Sequence, residues 1–306
     1  MKGRSNRNAR RWTGSSILVV IASTGAALSG TAGIAAAQDT TTATPSSGAT
    51  AAPRTGSRSL TLKSEEIAPD KVFYYGKRKA AYRYSIGGNR SRNLKIQAVQ
   101  RKSWHVVHTW RRSRVKPGKV HTIRWSGSGK SGRPVPKGTY LFRVLSRRGQ
   151  AADRGRTNRD DRSFGLFPYR FPVRASHTYG DGYGAPRSGH VHQGQDILTR
   201  CGKRIVAARG GRVQYRADQA GGAGYYMVVD GKGTGHDYVY MHLRRRGRPK
   251  RGKHVHTGQR IGFVGRTGAA TACHLHFEMW TKPGWYDGGR AMRSVTRKLK
   301  RWDAWS

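Results

Sequence analysis

The sequence predicts an all-β protein with two β-rich domains in tandem, and three observations predict it. Short runs alternate large apolar with polar side chains, the period of a strand whose two faces meet different surroundings. Turn-forming clusters such as Gly87-Gly88-Asn89, Pro117-Gly118-Lys119 and Gly221-Gly222 separate these runs. No helical pattern of consequence appears before a tail that begins near Gly289.

Residues 1–13 carry Lys2, Arg4, Arg7, Arg10 and Arg11 without an acid. Ser16-Ile17-Leu18-Val19-Val20-Ile21-Ala22 opens an apolar stretch that thins into Gly, Ser and Thr by residue 33, and Ala35-Ala36-Ala37 sets small residues ahead of Gln38. A basic start, a short apolar centre and a small-residue exit describe a signal peptide over residues 1–37. Its apolar part falls short of the roughly 20 residues that span a bilayer, so no stable membrane span is expected after cleavage; an uncleaved anchor is the alternative. Residues 38–59 contain no large apolar side chain, cannot offset the entropy of ordering, and read as a disordered linker.

Residues 60–149 read as a β-sandwich. Tyr82, Tyr84 and Ile86 alternate with Arg83 and Ser85; Leu94, Ile96 and Ala98 alternate with Lys95 and Gln97; Ile123 with Trp125, then Tyr140, Phe142 and Val144, continue the period. Several short strands at such spacing suit two packed sheets. Val120-His121-Thr122-Ile123-Arg124-Trp125-Ser126-Gly127, followed by Gly132-Arg133-Pro134-Val135-Pro136-Lys137-Gly138-Thr139-Tyr140, resembles the Ig-like module of flagellar hook-capping proteins. That resemblance implies an Ig-like fold and little about function. His105, His108 and His121 read as strand surface. Residues 150–172 form a basic connector.

Residues 173–288 repeat the β signal. Gly210-Gly211-Arg212-Val213-Gln214-Tyr215, Tyr225-Tyr226-Met227-Val228-Val229-Asp230, Asp237-Tyr238-Val239-Tyr240-Met241-His242 and His274-Leu275-His276-Phe277-Glu278-Met279 read as strands joined by turns of a few residues. Such turns favour an antiparallel sheet. Residues i and i+2 of a strand share a face, so His274 and His276 project together while Leu275 and Phe277 face the core. His192 and Asp196 are joined through Gly194, which suits a turn that delivers both side chains to one point. Two imidazoles and a carboxylate are ordinary zinc ligands, and three protein ligands with an open fourth position describe a catalytic site. His-x-His occurs three times, at His190/His192, His254/His256 and His274/His276, so one such pair alone is weak evidence.

The conjunction is stronger. His192-Gln193-Gly194-Gln195-Asp196, Tyr240-Met241-His242-Leu243, Gly258-Gln259-Arg260-Ile261-Gly262 with Gly265-Arg266-Thr267-Gly268, and His274-Leu275-His276-Phe277-Glu278 together resemble the lysostaphin-type zinc metallopeptidases, endopeptidases of bacterial peptidoglycan. The resemblance implies a metallopeptidase domain with one Zn2+ on His192, Asp196 and His276. It makes His242 and His274 the pair that orients the water, takes its proton and stabilises the oxyanion. Glu278 is read as following the strand outward in a structural role. Met241 stands where a small residue is common, and His190 where an arginine is frequent. Some family members lack ligands and act only as activators of other hydrolases; all five chemical positions are present here, and a catalytically inactive cationic cell-wall-binding or hydrolase-activating protein is the alternative.

The only two cysteines, Cys201 and Cys273, flank the ligand segments. In an exported protein an even pair suggests a disulfide, the alternative being a thiolate on the metal. Net charge is +45, and +40 without residues 1–37, so the chain is expected to adhere to polyanions. Its bases are scattered rather than gathered in one motif, which argues against specific nucleic-acid binding. Peptidoglycan peptides are the expected partners, with anionic cell-wall polymers as further ones, and a secreted or cell-wall location follows. The tail at 289–306 reads as a short basic helix through Met292, Val295 and Leu299, ending at Trp302 and Trp305, and packed on the second domain.

Overall fold

Alternation along the chain translates directly into layers. A computed structural model describes residues 59–154 and 163–306; the expected signal peptide and nearly all of the expected linker lie outside the described residues. The first eight strands are Leu62–Ala68 (β1), Lys71–Phe73 (β2), Ala80–Ile86 (β3), Arg92–Gln100 (β4), Val106–Val115 (β5), His121–Trp125 (β6), Gly138–Ser146 (β7) and Ser163–Phe167 (β8). They form a β1-β3-β6 sheet and a β2-β8-β7-β4-β5 sheet. Tyr82, Tyr84 and Ile86 of β3 meet Leu94, Ile96, Phe142 and Val144 of the other sheet in one buried cluster. Tyr82 stacks on Phe142 with ring centroids 4.8 Å apart. Each such buried aromatic or aliphatic side chain contributes roughly 1.5–3 kcal/mol relative to exposure.

One boundary differs from the sequence reading. The expected connector supplies β8, which pairs antiparallel with β7 and parallel with β2. Phe164 and Leu166 alternate inward there. The neighbouring Arg/Asp-rich run 153–162 masks this short alternation in the sequence.

The second half contains Thr178–Tyr179 (β9), Pro186–Arg187 (β10), His190–Val191 (β11), Gln195–Leu198 (β12), Arg204–Val206 (β13), Gly211–Gln219 (β14), Gly224–Gly231 (β15), His236–Leu243 (β16), His254–Val255 (β17), Arg260–Phe263 (β18) and His274–Thr281 (β19), then a helix, Val295–Asp303 (α1). Seven strands form one antiparallel sheet in the order β17-β14-β15-β16-β19-β12-β9. One face of this sheet is closed. Met227, Val229, Tyr238, Tyr240, Leu275, Phe277 and Met279 pack there against Ile205, Ile261 and Val264 of the β13-β18 side. The helix joins the same core through Val295, Leu299 and Trp302, spaced by four and three residues on one helical face. The opposite face carries a smaller cluster, Tyr226, Val228, Val239 and Met241, and beside it the polar side chains considered below. Among the described residues no helix is long and apolar enough to cross a membrane.

Arg209 ties the two halves together. It is 4% exposed, and its guanidinium donates to the Lys232 carbonyl through Nε (3.1 Å) and Nη2 (2.9 Å), and to the Pro168 carbonyl through Nη1 (2.7 Å). It also lies over the rings of Tyr74, Tyr75 and Tyr169 at 4.8–5.4 Å, one sandwich loop and the connector being thus held on one cation. Cys201 and Cys273 form a disulfide that links the segment after β12 to the start of β19.

Two stability tests follow. Arg209→Ala strands the Lys232 and Pro168 carbonyls and should lower unfolding free energy by about 2–3 kcal/mol in a denaturant titration. Replacing both cysteines by serine opens a loop with a sequence separation of 72 and should cost about 2–4 kcal/mol.

Candidate metal centre

Three neighbouring strands and one turn deliver the polar cluster. Asp196 on β12 sits opposite His276 on β19, and Met241 on β16 sits opposite His276 on its other side. His274 and His276 therefore share the open face of the sheet, while Leu275 and Phe277 are fully buried on the closed one. His192 comes from the turn before β12 and is itself buried.

Gly194 makes that turn compatible with the cluster. A Cβ at this position would stand 2.6 Å from the Phe277 carbonyl oxygen and 2.7 Å from His276 Nε2, so any side chain would push the His276 ring away.

His242 reaches the same face by a different device. Strict alternation would send it to the closed core with Tyr238 and Tyr240. A register shift between β15 and β16 spans this point, and His242 takes φ 59, a left-handed backbone uncommon for a side-chain-bearing residue. Leu243 fills the core position instead, at 0% exposure. The His242 ring lies 4.7 Å from that of His274 and 6.0 Å from that of His276, centroid to centroid.

Hydrogen bonds assign the ring nitrogens. His192 Nδ1 donates to the Gly182 carbonyl at 2.8 Å, and His276 Nε2 donates to Glu278 Oε1 at 2.9 Å. In each neutral ring the remaining nitrogen is then a lone pair. Those two lone pairs face each other, His192 Nε2 to His276 Nδ1 at 2.8 Å. Asp196 Oδ1 completes the triangle at 3.0 Å from His192 Nε2 and 2.9 Å from His276 Nδ1. Three lone-pair donors pointed at one another repel unless a cation sits between them. A tetrahedral metal ion with bonds of about 2.0–2.2 Å sets its ligand atoms about 3.3–3.6 Å apart, roughly half an ångström wider than this triangle. His192, Asp196 and His276 thus fit a metal ion by both chemistry and spacing.

The protonation balance shows the same demand for positive charge. Burial alone would push the Asp196 carboxyl up; hydrogen bonds from His192 and His276, with their charge, outweigh it and hold the group below the usual carboxylate range. Burial pulls His276 down, but its bonds to Asp196 and Glu278 outweigh burial and lift it to about 9. His242 goes the other way. Burial lowers it to about 4, against a bond to the Thr267 carbonyl and with help from nearby His274 and His276.

His242 and His274 are oriented by backbone carbonyls. His242 Nδ1 donates to Thr267 O at 2.8 Å and His274 Nδ1 to Ala272 O at 2.9 Å, leaving each Nε2 as the free nitrogen. His274 Nε2 lies 3.7 Å from Asp196 Oδ1, at the edge of the metal-ligand triangle.

Several supporting residues escaped the sequence reading. Glu278 does not follow the strand outward: it is 4% exposed and accepts from both His276 Nε2 and Trp280 Nε1, the latter at 2.7 Å. Its i+2 relation to His276 was the available signal. Thr267 holds the loop under His242, its hydroxyl donating to Leu243 O at 2.8 Å and accepting from Tyr225 N. Arg187, paired across the β10-β11 hairpin with His190, brings Nη2 within 3.8 Å of Asp196 Oδ2. His190, His254 and His256 are exposed and stand apart from the cluster. His177 Nδ1 donates to Ala175 O, and its Nε2 lies 3.2 Å from Asp303 Oδ2 at the end of α1, so the ring anchors the helix.

Comparison with known proteins meets this geometry at the same residues. Residues 190–289 match the model of peptidase family M23. An uncharacterized metalloprotease of Haemophilus influenzae is 31% identical over 184 residues, 60% of this chain and 35% of the relative. The peptidoglycan DD-endopeptidase ShyC of Vibrio cholerae is 36% identical over 97 residues, 30% of this chain and 21% of that protein. The chain thus spans about a third or less of the length of these curated relatives. Among solved structures, the catalytic domain of the antimicrobial peptidase lysostaphin from Staphylococcus simulans aligns at 30% identity over 40% of this chain and 92% of that one, with a TM-score of 0.37. The ligand triangle of His192, Asp196 and His276 lies inside residues 190–289, the segment that matches peptidase family M23.

Proposed function

We propose that this protein is an exported zinc endopeptidase that hydrolyses peptide bonds in bacterial peptidoglycan. One observation carries the reading: three lone-pair donors on His192, Asp196 and His276 meet within 3.0 Å, each imidazole fixed by a hydrogen bond on its other nitrogen. Zinc bound there supplies Lewis acidity and lowers the pKa of water to ~7. The basic, then apolar start of the chain supports export, and the peptidoglycan activity of the Vibrio cholerae relative supports the substrate class.

In this reading the chain's own residues manage the protons. His242 is neutral at neutral pH because burial keeps it near about 4, so its Nε2 is available as an acceptor. His274 presents a second Nε2 at the edge of the ligand triangle. One of these nitrogens takes the proton from the attacking water as the new C–O bond forms. The resulting N–H donates to the oxyanion at the scissile carbonyl, and the proton passes to the departing amine nitrogen as the C–N bond breaks. Glu278 keeps His276 in the tautomer that offers Nδ1, and Trp280 keeps Glu278 in place.

Three variants separate these roles. His276→Ala should abolish both zinc content, read by elemental mass spectrometry, and hydrolysis of purified peptidoglycan. Gly194→Ala should weaken zinc affinity by about 10–100-fold in a chelator competition. His242→Ala should keep stoichiometric zinc yet lose about 10²–10⁴-fold in kcat. Defined peptidoglycan peptides, digested with and without chelator and analysed by mass, identify the bond cut; full activity in excess chelator would overturn the reading.

A further inference from the structure

A cleft of about 830 Å³ lies between the sandwich and the second domain, well away from the metal-ligand triangle in sequence and lining. Its walls carry Lys71, Lys77 and Arg78 from the sandwich and Arg170 from the other side, with the imidazole of His256, against one acidic side chain, Asp70; Ser306 also lines it, its backbone oxygen accepting from Arg174 Nη1. Lys71, Lys77, Arg78 and Arg170 have no ion-pair partner among the described residues.

Arg170 is the centre of this charge. Its stem and one terminal nitrogen lie over Gly258, where a Cβ would stand 3.0 Å from both Cδ and Nη1. Its guanidinium sits 5.1 Å from the Phe73 ring centroid. Its Nε is buried with no hydrogen-bond partner among the described residues. Burial, together with the charges of Arg174 and Arg78, disfavours the cation there. A buried donor left unpaired costs about 1–3 kcal/mol, so the fold carries an unmet need for an acceptor at this position.

We propose that this cleft is a second binding site, for the phosphodiester groups of an anionic polyol-phosphate polymer. A phosphate group offers several acceptor oxygens to a guanidinium fork and balances clustered positive charge. The cleft is far larger than one phosphate group needs and spreads its cations along both walls, which suits successive phosphates of a chain. Phe73, the one Phe, Tyr or Trp ring in the lining, is buried beneath Arg170, which leaves the exposed imidazole of His256 as the only aromatic ring free to stack and disfavours a nucleobase site. The choice of a wall polymer as source rests on the proposed action on peptidoglycan; the phosphate chemistry does not. Such a site would hold the enzyme at its insoluble substrate and raise the local concentration of peptide at the metal centre.

The test titrates the full chain with poly(glycerol phosphate) at fixed ionic strength and measures cleavage of a soluble peptidoglycan peptide in parallel. Three proteins are compared with wild type: Lys77→Gln with Arg78→Gln, both exposed; Arg170→Gln; and a control of equal charge change to the first, Arg111→Gln with Arg124→Gln, on exposed sandwich strands. The two cleft variants should bind the polymer on the order of tenfold more weakly. The control should stay within about twofold of wild type, as expected for exposed charges. Soluble-peptide cleavage should be the same in all four, so failure of the peptidase reading shows separately. Equal losses in cleft variants and control would overturn the proposal in favour of diffuse attraction. Inorganic phosphate binding as tightly as the polymer would make it a free-phosphate site, and tighter binding of a DNA duplex, lost in the same variants, would make it a nucleic-acid site.

Discussion

Three lone pairs, on His192, Asp196 and His276, meet at one point, and the sheet that carries them is arranged around that meeting. Such an arrangement is unstable by itself, because each donor atom repels the others. It exists because each imidazole is committed through its other nitrogen, one to the Gly182 carbonyl and one to Glu278. Glu278 is committed in turn to Trp280. The carboxylate held low and the histidine lifted to about 9 express the same requirement in protons.

Much of the scaffold follows from supplying that meeting point. Antiparallel pairing sets Asp196, His276 and Met241 side by side on three strands. Period-two alternation then gives the face opposite the ligands entirely to Leu275, Phe277, Tyr238 and Tyr240, and the helix seals that core through Leu299 and Trp302. Gly194 leaves the space into which the His276 ring fits. Alternation is broken at the left-handed residue His242, and the break puts an imidazole beside His274 while returning Leu243 to the core. Backbone strain at this position is therefore tied to the arrangement of the site.

How much of this was legible in the sequence depends on the kind of signal. Strand faces were: Tyr82, Tyr84, Ile86, Leu275 and Phe277 lie where alternation places them. The all-β architecture and the Cys201–Cys273 pair were readable for similar reasons of period and parity. His242 was reachable only through the motif it shares with a family, since alternation alone assigns it to the core. The carbonyls of Gly182, Thr267 and Ala272, which orient three imidazoles, leave no trace in side-chain pattern because every residue has a carbonyl. Arg187 was hidden because its relation to Asp196 arises from a hairpin register, and β8 because five residues of alternation adjoin a charged run.

Arg209 and Arg170 show two ways in which a strongly basic chain manages buried positive charge. Arg209 is satisfied by carbonyls and tyrosine rings and needs no anion. Arg170 is left with an unpaired Nε in a cleft of like charge. The central claim, however, concerns the metal. Its most direct measurement is anomalous diffraction at the zinc edge from crystals of the zinc-loaded protein. One peak per chain is expected, bounded by His192 Nε2, Asp196 Oδ1 and His276 Nδ1; a peak at His254 and His256, or none within the triangle, would contradict a metal at this site.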